Sequence, residues 1–251
     1  MEFRMPLEQL VNVISPPRLS FYESFLSYTK SESKVGAYLA FQSISSSFFP
    51  VVQMVEVGLR NSINNIAKKH FKDDEWFLTK PVSEKSKELV KSAVKKAKNE
   101  RGDKCNPDDV ICRLTLGFWV YMLDSEYRNT ASDSFLWSAD NRKEVFPNAK
   151  NPWGADLTVA ALFDEYHKVL LLRNRLFHHE PIWKKHNCNH VSKAVANVKK
   201  DHAFLLKTLN YLSPAKADIL KCIDIPNKFD ATCTVEHVNG VIAKVEKELT
   251  A

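Results

Sequence analysis

The sequence predicts an all-α fold, and three observations carry that expectation. Apolar residues recur at intervals of three and four rather than two. Only six glycines interrupt 251 residues. Prolines and small polar residues stand where helices should begin, as in Asn106-Pro107-Asp108-Asp109, which places a cap, a first-turn proline and two acids at the positive end of a helix dipole.

In chain order, a first helical region is expected from about Phe21 to Ser47, with the apolar positions of SKVGAYLAFQSI at helical spacing. Pro50 should break or kink the chain. Residues 51–71 read as an amphipathic helix with Val52, Val55, Leu59, Ile63 and Ile66 on one side. Ser83 is a candidate N-cap for the lysine-rich segment that follows. The helix opened by Asn106, VICRLTLGFWVYMLD, is apolar enough to cross a core. Residues 125–152 read as loop, anchored by Phe135, Trp137 and Phe146. A helix at about 155–180 ends before Pro181, and further helices are expected at 190–212, 214–222 and 235–249. No linker or low-complexity stretch divides the chain. Residues 1–212 are therefore expected to form one helical domain, with 213–251 as a helical appendage of it.

The formal charge of +6 is mildly basic, compatible with a polyanionic partner and no more than that. No run of eighteen apolar residues occurs, so no membrane span is expected. Charges interrupt MEFRMPLEQL where an export signal would be apolar, and the expected location is the cytoplasm. The five cysteines form no CxxC pair and read as reduced thiols.

The chemistry concentrates in LLRNRLFHHEPIW, residues 171–183. On an ideal helical wheel with Leu162 at zero, Arg173 falls at about +20° and Glu180 at about 0°, among Tyr166, Val169, Leu176 and Phe177. A guanidinium in that apolar stripe must be paired or must line a cavity. Asn174 and His178 share the neighbouring face, Arg175 and His179 the outer one. One reading makes Arg173 a structural ion pair with Glu180 or Glu56, and the histidines ordinary residues of a helix C-terminus. The other uses all of them: an arginine to bind phosphate, an amide to orient it, and histidine to move protons near neutral pH.

This segment resembles the R-(N/D/H)-x-x-x-H signature of the HEPN superfamily, and the chain looks like the Abi-like, abortive-infection proteins of bacteria. FFPVVQMVEVGLRNSI at 48–63, DDVICRLTLGFWVYML at 108–123 and LLRNRLFHHEPI at 171–182 carry the match, in order, across roughly residues 35–212. The resemblance implies a HEPN-like helical bundle with additional helices, a homodimer whose Arg/His motifs meet in a cleft, and metal-independent ribonuclease activity. It maps Arg173 onto the motif arginine, Asn174 onto the polar residue after it, and His178 or His179 onto the histidine. His178 is preferred for its shared face with Asn174. Phe177 departs from the small residue expected there and should narrow the cleft. Glu56 and Arg60 recur as an E-x-x-x-R-N block and are candidates for a supporting role, with Glu180. Their simplest reading is a local ion pair.

The expected function is a metal-independent endoribonuclease of abortive-infection or toxin type, with no cofactor, held in check by a cognate antitoxin protein or small RNA. The alternative is a non-catalytic RNA- or protein-binding HEPN module in a phage-defence system. Lys91, Lys95, Lys96, Lys98 and Arg101 are candidates for tracking RNA phosphates, beside the plainer reading of a solvated helix face. His186, Cys188 and His190 are spaced too closely for a usual structural zinc site, and no metal site is read from them.

Overall fold

The computed structural model describes residues 6–80 and 83–250 and is all-α. Among the described residues the only β feature is an isolated bridge between Lys150 and Asp156. The helices begin with α1 (Leu7–Ile14), α2 (Pro16–Leu26), α3 (Ser31–Ser46), α4 (Phe48–Phe71), α5 (Trp76–Thr79) and α6 (Glu84–Arg101). They continue with α7 (Pro107–Ile111), α8 (Leu116–Tyr121), α9 (Ala139–Val145), α10 (Val159–Phe177) and α11 (Val191–Leu212). The series ends with α12 (Pro214–Cys222), α13 (Ile225–Thr232) and α14 (Val235–Thr250).

Several boundaries follow from local chemistry that the sequence announced. Ser83 Oγ accepts from the Ser86 N–H at 3.2 Å and starts α6. Asn106 and Asp109 form a reciprocal capping box, at 3.0 and 3.2 Å, that starts α7. Pro50 lies in the first turn of α4, where its missing N–H costs nothing, so the helix starts there rather than kinking.

Four expectations are corrected. The region 21–47 is two helices, because Ser27 adopts a left-handed backbone (φ 62°) that ends α2. The helix expected over 110–124 breaks into α7 and α8. Arg113 at the break is ion-paired to Glu100 and donates to the Asp109 carbonyl, while Leu114 and Leu116 are buried. Residues 125–152 contain α9, capped by Ser138 Oγ on the Asn141 N–H at 3.1 Å. The motif helix starts at Val159, not 155, where the Thr158 hydroxyl accepts from the Ala161 N–H at 3.2 Å.

The chain packs as two compact units. The first comprises residues up to 51, 172–205 and 218 onward; the second comprises 52–171 and 206–217. Residues 213–251, read as an appendage, thus divide between them.

The second unit holds the buried stripe of α4, Val52, Val55, Leu59, Ile63 and Ile66. Trp76 packs against Phe118 and Trp119, 6.2 and 6.4 Å between ring centres, with its indole donating to Asn64 Oδ1 at 3.0 Å. The fully buried Tyr166 gives its hydroxyl to the Thr208 carbonyl at 2.8 Å. On α6, Val90, Ala93 and Ala97 face inward while Lys91, Lys95, Lys96 and Lys98 are exposed.

In the first unit α3 and α14 lie side by side. Gly36 makes this possible: a Cβ there would stand 2.7 Å from Ile242 Cα, which is backbone and cannot swing away. The half-closed interface is tied polar-side by Ser33 Oγ on Glu246 Oε1 at 2.5 Å. Deeper in this unit His202, 3% exposed, stacks on Phe229 at 3.7 Å between ring centres and meets Phe48 edge-on at 5.2 Å. Burial away from water depresses the His202 pKa to about 4, against a small opposing pull from Asp230.

The stretch Ser31–Phe71 is long and apolar enough, by length and composition alone, to cross a membrane, but half of its most apolar window is buried inside the protein. Burial in a protein core explains that apolarity without a bilayer.

Two outcomes follow for stability. Gly36→Ala is expected to destabilise by about 1–3 kcal/mol in a urea titration, through forced separation of α3 and α14. For His202, the unfolded chain takes up a proton near pH 6.5 while the folded chain resists until about 4. Stability should therefore be full above pH 6.5 and fall by roughly 3 kcal/mol as the pH drops through that window. His202→Phe should flatten this limb of the pH profile.

Candidate functional site

The last residues of α10 belong to the first unit, and the way this helix stops builds the site. Glu180 precedes Pro181, which disfavours helical backbone at Glu180. The chain leaves by a Schellman turn: the His179 N–H donates to the Leu176 carbonyl at 3.1 Å and the Glu180 N–H to the Arg175 carbonyl at 2.9 Å. This turn puts His179 in the left-handed region, φ 55°, a position that usually selects glycine.

Arg175 locks what comes after. Its Nη2 donates to the carbonyls of Pro181, at 2.6 Å, and Lys184, at 3.2 Å, while Nε lies 3.5 Å from Glu180 Oε2. The loop so held buries Trp183 completely, with its ring 5.2 Å from Tyr22 and 5.5 Å from Phe41. Asn197 Nδ2 donates to the Trp183 carbonyl at 3.1 Å. From α2, Arg18 reaches the turn and donates through Nη1 to the His179 carbonyl at 3.0 Å.

Between these parts lies a cavity of about 250 Å³. Its buried lining comes from Tyr22, Phe41, Leu176 and Trp183, with Tyr38 half-buried and Phe49 exposed beside them. Its polar lining comes from Arg18, Gln42, Ser45, Ser46, His179 and Glu180. Loss of water around the Tyr22 hydroxyl raises its pKa well above the usual phenol value, so it stays a protonated donor.

The residues singled out from sequence fall as follows. Arg173 is half-buried, not sunk in the core stripe; its guanidinium lies over the Phe177 ring at 4.3 Å, and Nη1 is 3.5 Å from Asn174 Oδ1. The wheel placed Phe177 in the buried arc, whereas it is 46% exposed and packs edge-on against Phe49 at 5.4 Å. The pairing of Glu180 with Arg173 is corrected. The helix has ended, Glu180 is exposed, and its carboxylate faces Arg175 instead. Asn174 is half-buried, and its carbonyl accepts from the His178 N–H at 2.9 Å. His178 and His179 are both exposed, with His179 on the cavity.

Glu56 and Arg60 are half-buried in the second unit, where Arg60 Nε donates to Asn61 Oδ1 at 3.1 Å. Lys91, Lys95, Lys96, Lys98 and Arg101 are exposed there too, and Arg101 is committed to Asp109 at 3.1 Å. Among the described residues, no three His, Cys, Asp or Glu side chains gather as metal ligands would. Cys188 is buried, and the His190 ring faces the Ser192 hydroxyl at 2.9 Å.

Sequence reasoning missed Arg18, Tyr22, Tyr38 and Gln42, which come from helices that carry no motif. Trp183 did have a signal, since it closes the quoted segment just after Pro181 and Ile182.

The fold and this site define an all-α protein in which an aromatic cavity opens beside exposed imidazole and guanidinium groups. No protein-family model matches the chain, and neither the curated proteins nor the solved structures give a match.

The strained position offers a direct measurement. His179→Gly should raise folding stability by about 1 kcal/mol, because glycine occupies the left-handed region without a Cβ clash. Arg18 bonds the backbone carbonyl, not the ring, so that anchor survives the substitution. A raised denaturation midpoint is the expected result.

Proposed function

We propose that the chain is a metal-independent endoribonuclease of the HEPN, Abi-like type, working in the cytoplasm in abortive infection or as a toxin. The observation that supports it best is the turn after α10. It holds His179 at a cavity that Arg18 also lines, with a second exposed imidazole, His178, one residue before it.

RNA brings its own nucleophile. A neutral imidazole takes the proton from a 2′-hydroxyl, and the oxygen attacks the adjacent phosphorus. Negative charge that builds on the phosphoryl oxygens is met by guanidinium, from Arg18 or Arg173. A protonated imidazole then gives its proton to the departing 5′-oxygen. The products are a 2′,3′-cyclic phosphate and a 5′-hydroxyl. The acid and base are His178 and His179 of one chain, or one histidine from each protomer of a homodimer. Asn174 orients the phosphate, and the exposed lysines of α6 track further phosphates without reading sequence. A cognate antitoxin protein or small RNA would act by covering the histidine turn.

A second reading, a non-catalytic RNA- or protein-binding module of a phage-defence system, draws on Phe49 and Phe177. This exposed aromatic pair lies beside the histidines and suits a partner surface better than it suits proton transfer.

Purified protein incubated with end-labelled RNA in excess EDTA separates the two. Cleavage to cyclic-phosphate ends is expected, reduced about 10²–10⁴-fold in His178→Ala or His179→Ala. Arg173→Ala should lose it too while keeping the melting temperature of the parent. All-deoxy strands of the same sequence should survive. RNA bound tightly but left intact would assign the chain to the second reading, and an Arg173→Ala variant that unfolds would mark that side chain as structural.

A further inference from the structure

The cavity beside His179 has a composition that proton transfer to a phosphodiester does not require. Five aromatic side chains line a space of about 250 Å³: Tyr38 and Phe49 present accessible ring surface, and Tyr22, Phe41 and Trp183 are buried behind them. Their rings are tilted against one another, 58° between Tyr22 and Trp183 and 80° between Tyr22 and Tyr38. Packed at a tilt in this way, Tyr22, Phe41 and Trp183 form a rigid apolar floor under the space. The space is smaller than the roughly 300–1,000 Å³ of sites for drug-sized molecules, and so suits a single flat ring system.

The polar groups are as selective as the apolar ones. Gln42 brings an amide with both donors and an acceptor, the complement of a base edge. Arg18 spends one of its five N–H donors on the His179 carbonyl, and it supplies positive charge where the ring's own phosphate would follow. Glu180 is the one acid on the lining, and Arg175 lies 3.5 Å from its carboxylate, which limits repulsion of that phosphate.

We propose that this cavity takes one unpaired nucleobase together with its phosphate, the base lying on Tyr38 and Phe49 with its edge on Gln42, and the phosphate on Arg18. The inference rests on the reading of the chain as RNA-directed and deepens it. The cavity would select which nucleotide stands next to the scissile bond, by stacking and edge recognition of the kind single-stranded RNA invites. A duplex, with its bases paired and stacked, cannot fill it.

All-deoxy oligonucleotides test this without any cleavage, because they keep the base and the phosphates but lack the attacking hydroxyl. Short single strands, the same strands with one abasic residue, and free nucleoside monophosphates are titrated against the whole chain by calorimetry. The expected result is a loss of at least tenfold in affinity on removing one base. Tyr38→Ala should reproduce that loss for the intact strand and leave the abasic strand unchanged. Gln42→Leu should alter the ranking among the four bases. Gln42 is exposed and Tyr38 half-buried, so each variant is first matched to the parent's melting temperature.

Monophosphates that bind while strands do not would identify a free nucleotide as the source of the same base and phosphate. Equal binding of intact and abasic strands, or indifference to Tyr38→Ala, would overturn the proposal even if RNA were cleaved. Base-dependent binding by a protein that cleaves nothing would keep the cavity and remove the nuclease.

Discussion

The guanidinium of Arg175 is the constraint on which the site depends. Two carbonyls beyond the end of α10 point at it, and Glu180 closes the third side. Together with the Schellman turn, the Arg18 bond to the His179 carbonyl and the Asn197 bond to the Trp183 carbonyl, that clamp fixes the path of residues 178–184, where Pro181 removes a backbone donor and the helix has already ended. With it, the turn has one conformation, and three consequences appear together. His179 is driven into left-handed backbone, the two imidazoles are presented to solvent, and Trp183 is folded inward against Tyr22 and Phe41. A structural arginine thus sets where two imidazoles and an indole stand.

The division of labour between the arginines of this segment is the reverse of what helical periodicity implies. Arg173 lies closest to the apolar stripe on the wheel, yet its guanidinium spreads over the exposed ring of Phe177. Arg175 lies on the nominally outer face, yet it is the one that binds backbone. The reason is that a wheel assumes the helix continues. Once the chain turns back at His179, the outer face of the last turn becomes the inner face of a loop. The same reversal frees Glu180 from the stripe and hands it to Arg175.

This marks the limit of what the sequence could tell. The all-α class, the lysine face of α6 and the capping box at Asn106 were legible because each is decided by residues within four positions of one another. The breaks at Ser27 and between α7 and α8 were not. They depend on a backbone choice with no residue signature in one case, and on a pairing between Arg113 and Glu100 of a preceding helix in the other. The candidate site divides along the same line. His178, His179 and Trp183 belong to one contiguous string and could be found, whereas Arg18, Tyr38 and Gln42 come from α2 and α3, over a hundred positions away, and enter only through packing. His202 shows the complementary failure: a histidine on an amphipathic helix looks like any other until Phe48 and Phe229 are found on either side of it.

The close approach of Gly36 to Ile242 reaches beyond stability. The first unit draws on three separated segments, and α14, among the last residues described, lies directly against α3, among the first. During synthesis the face of α3 that meets α14 must wait uncovered until residues 235–250 have been made. The histidine turn sits in that same late-closing unit.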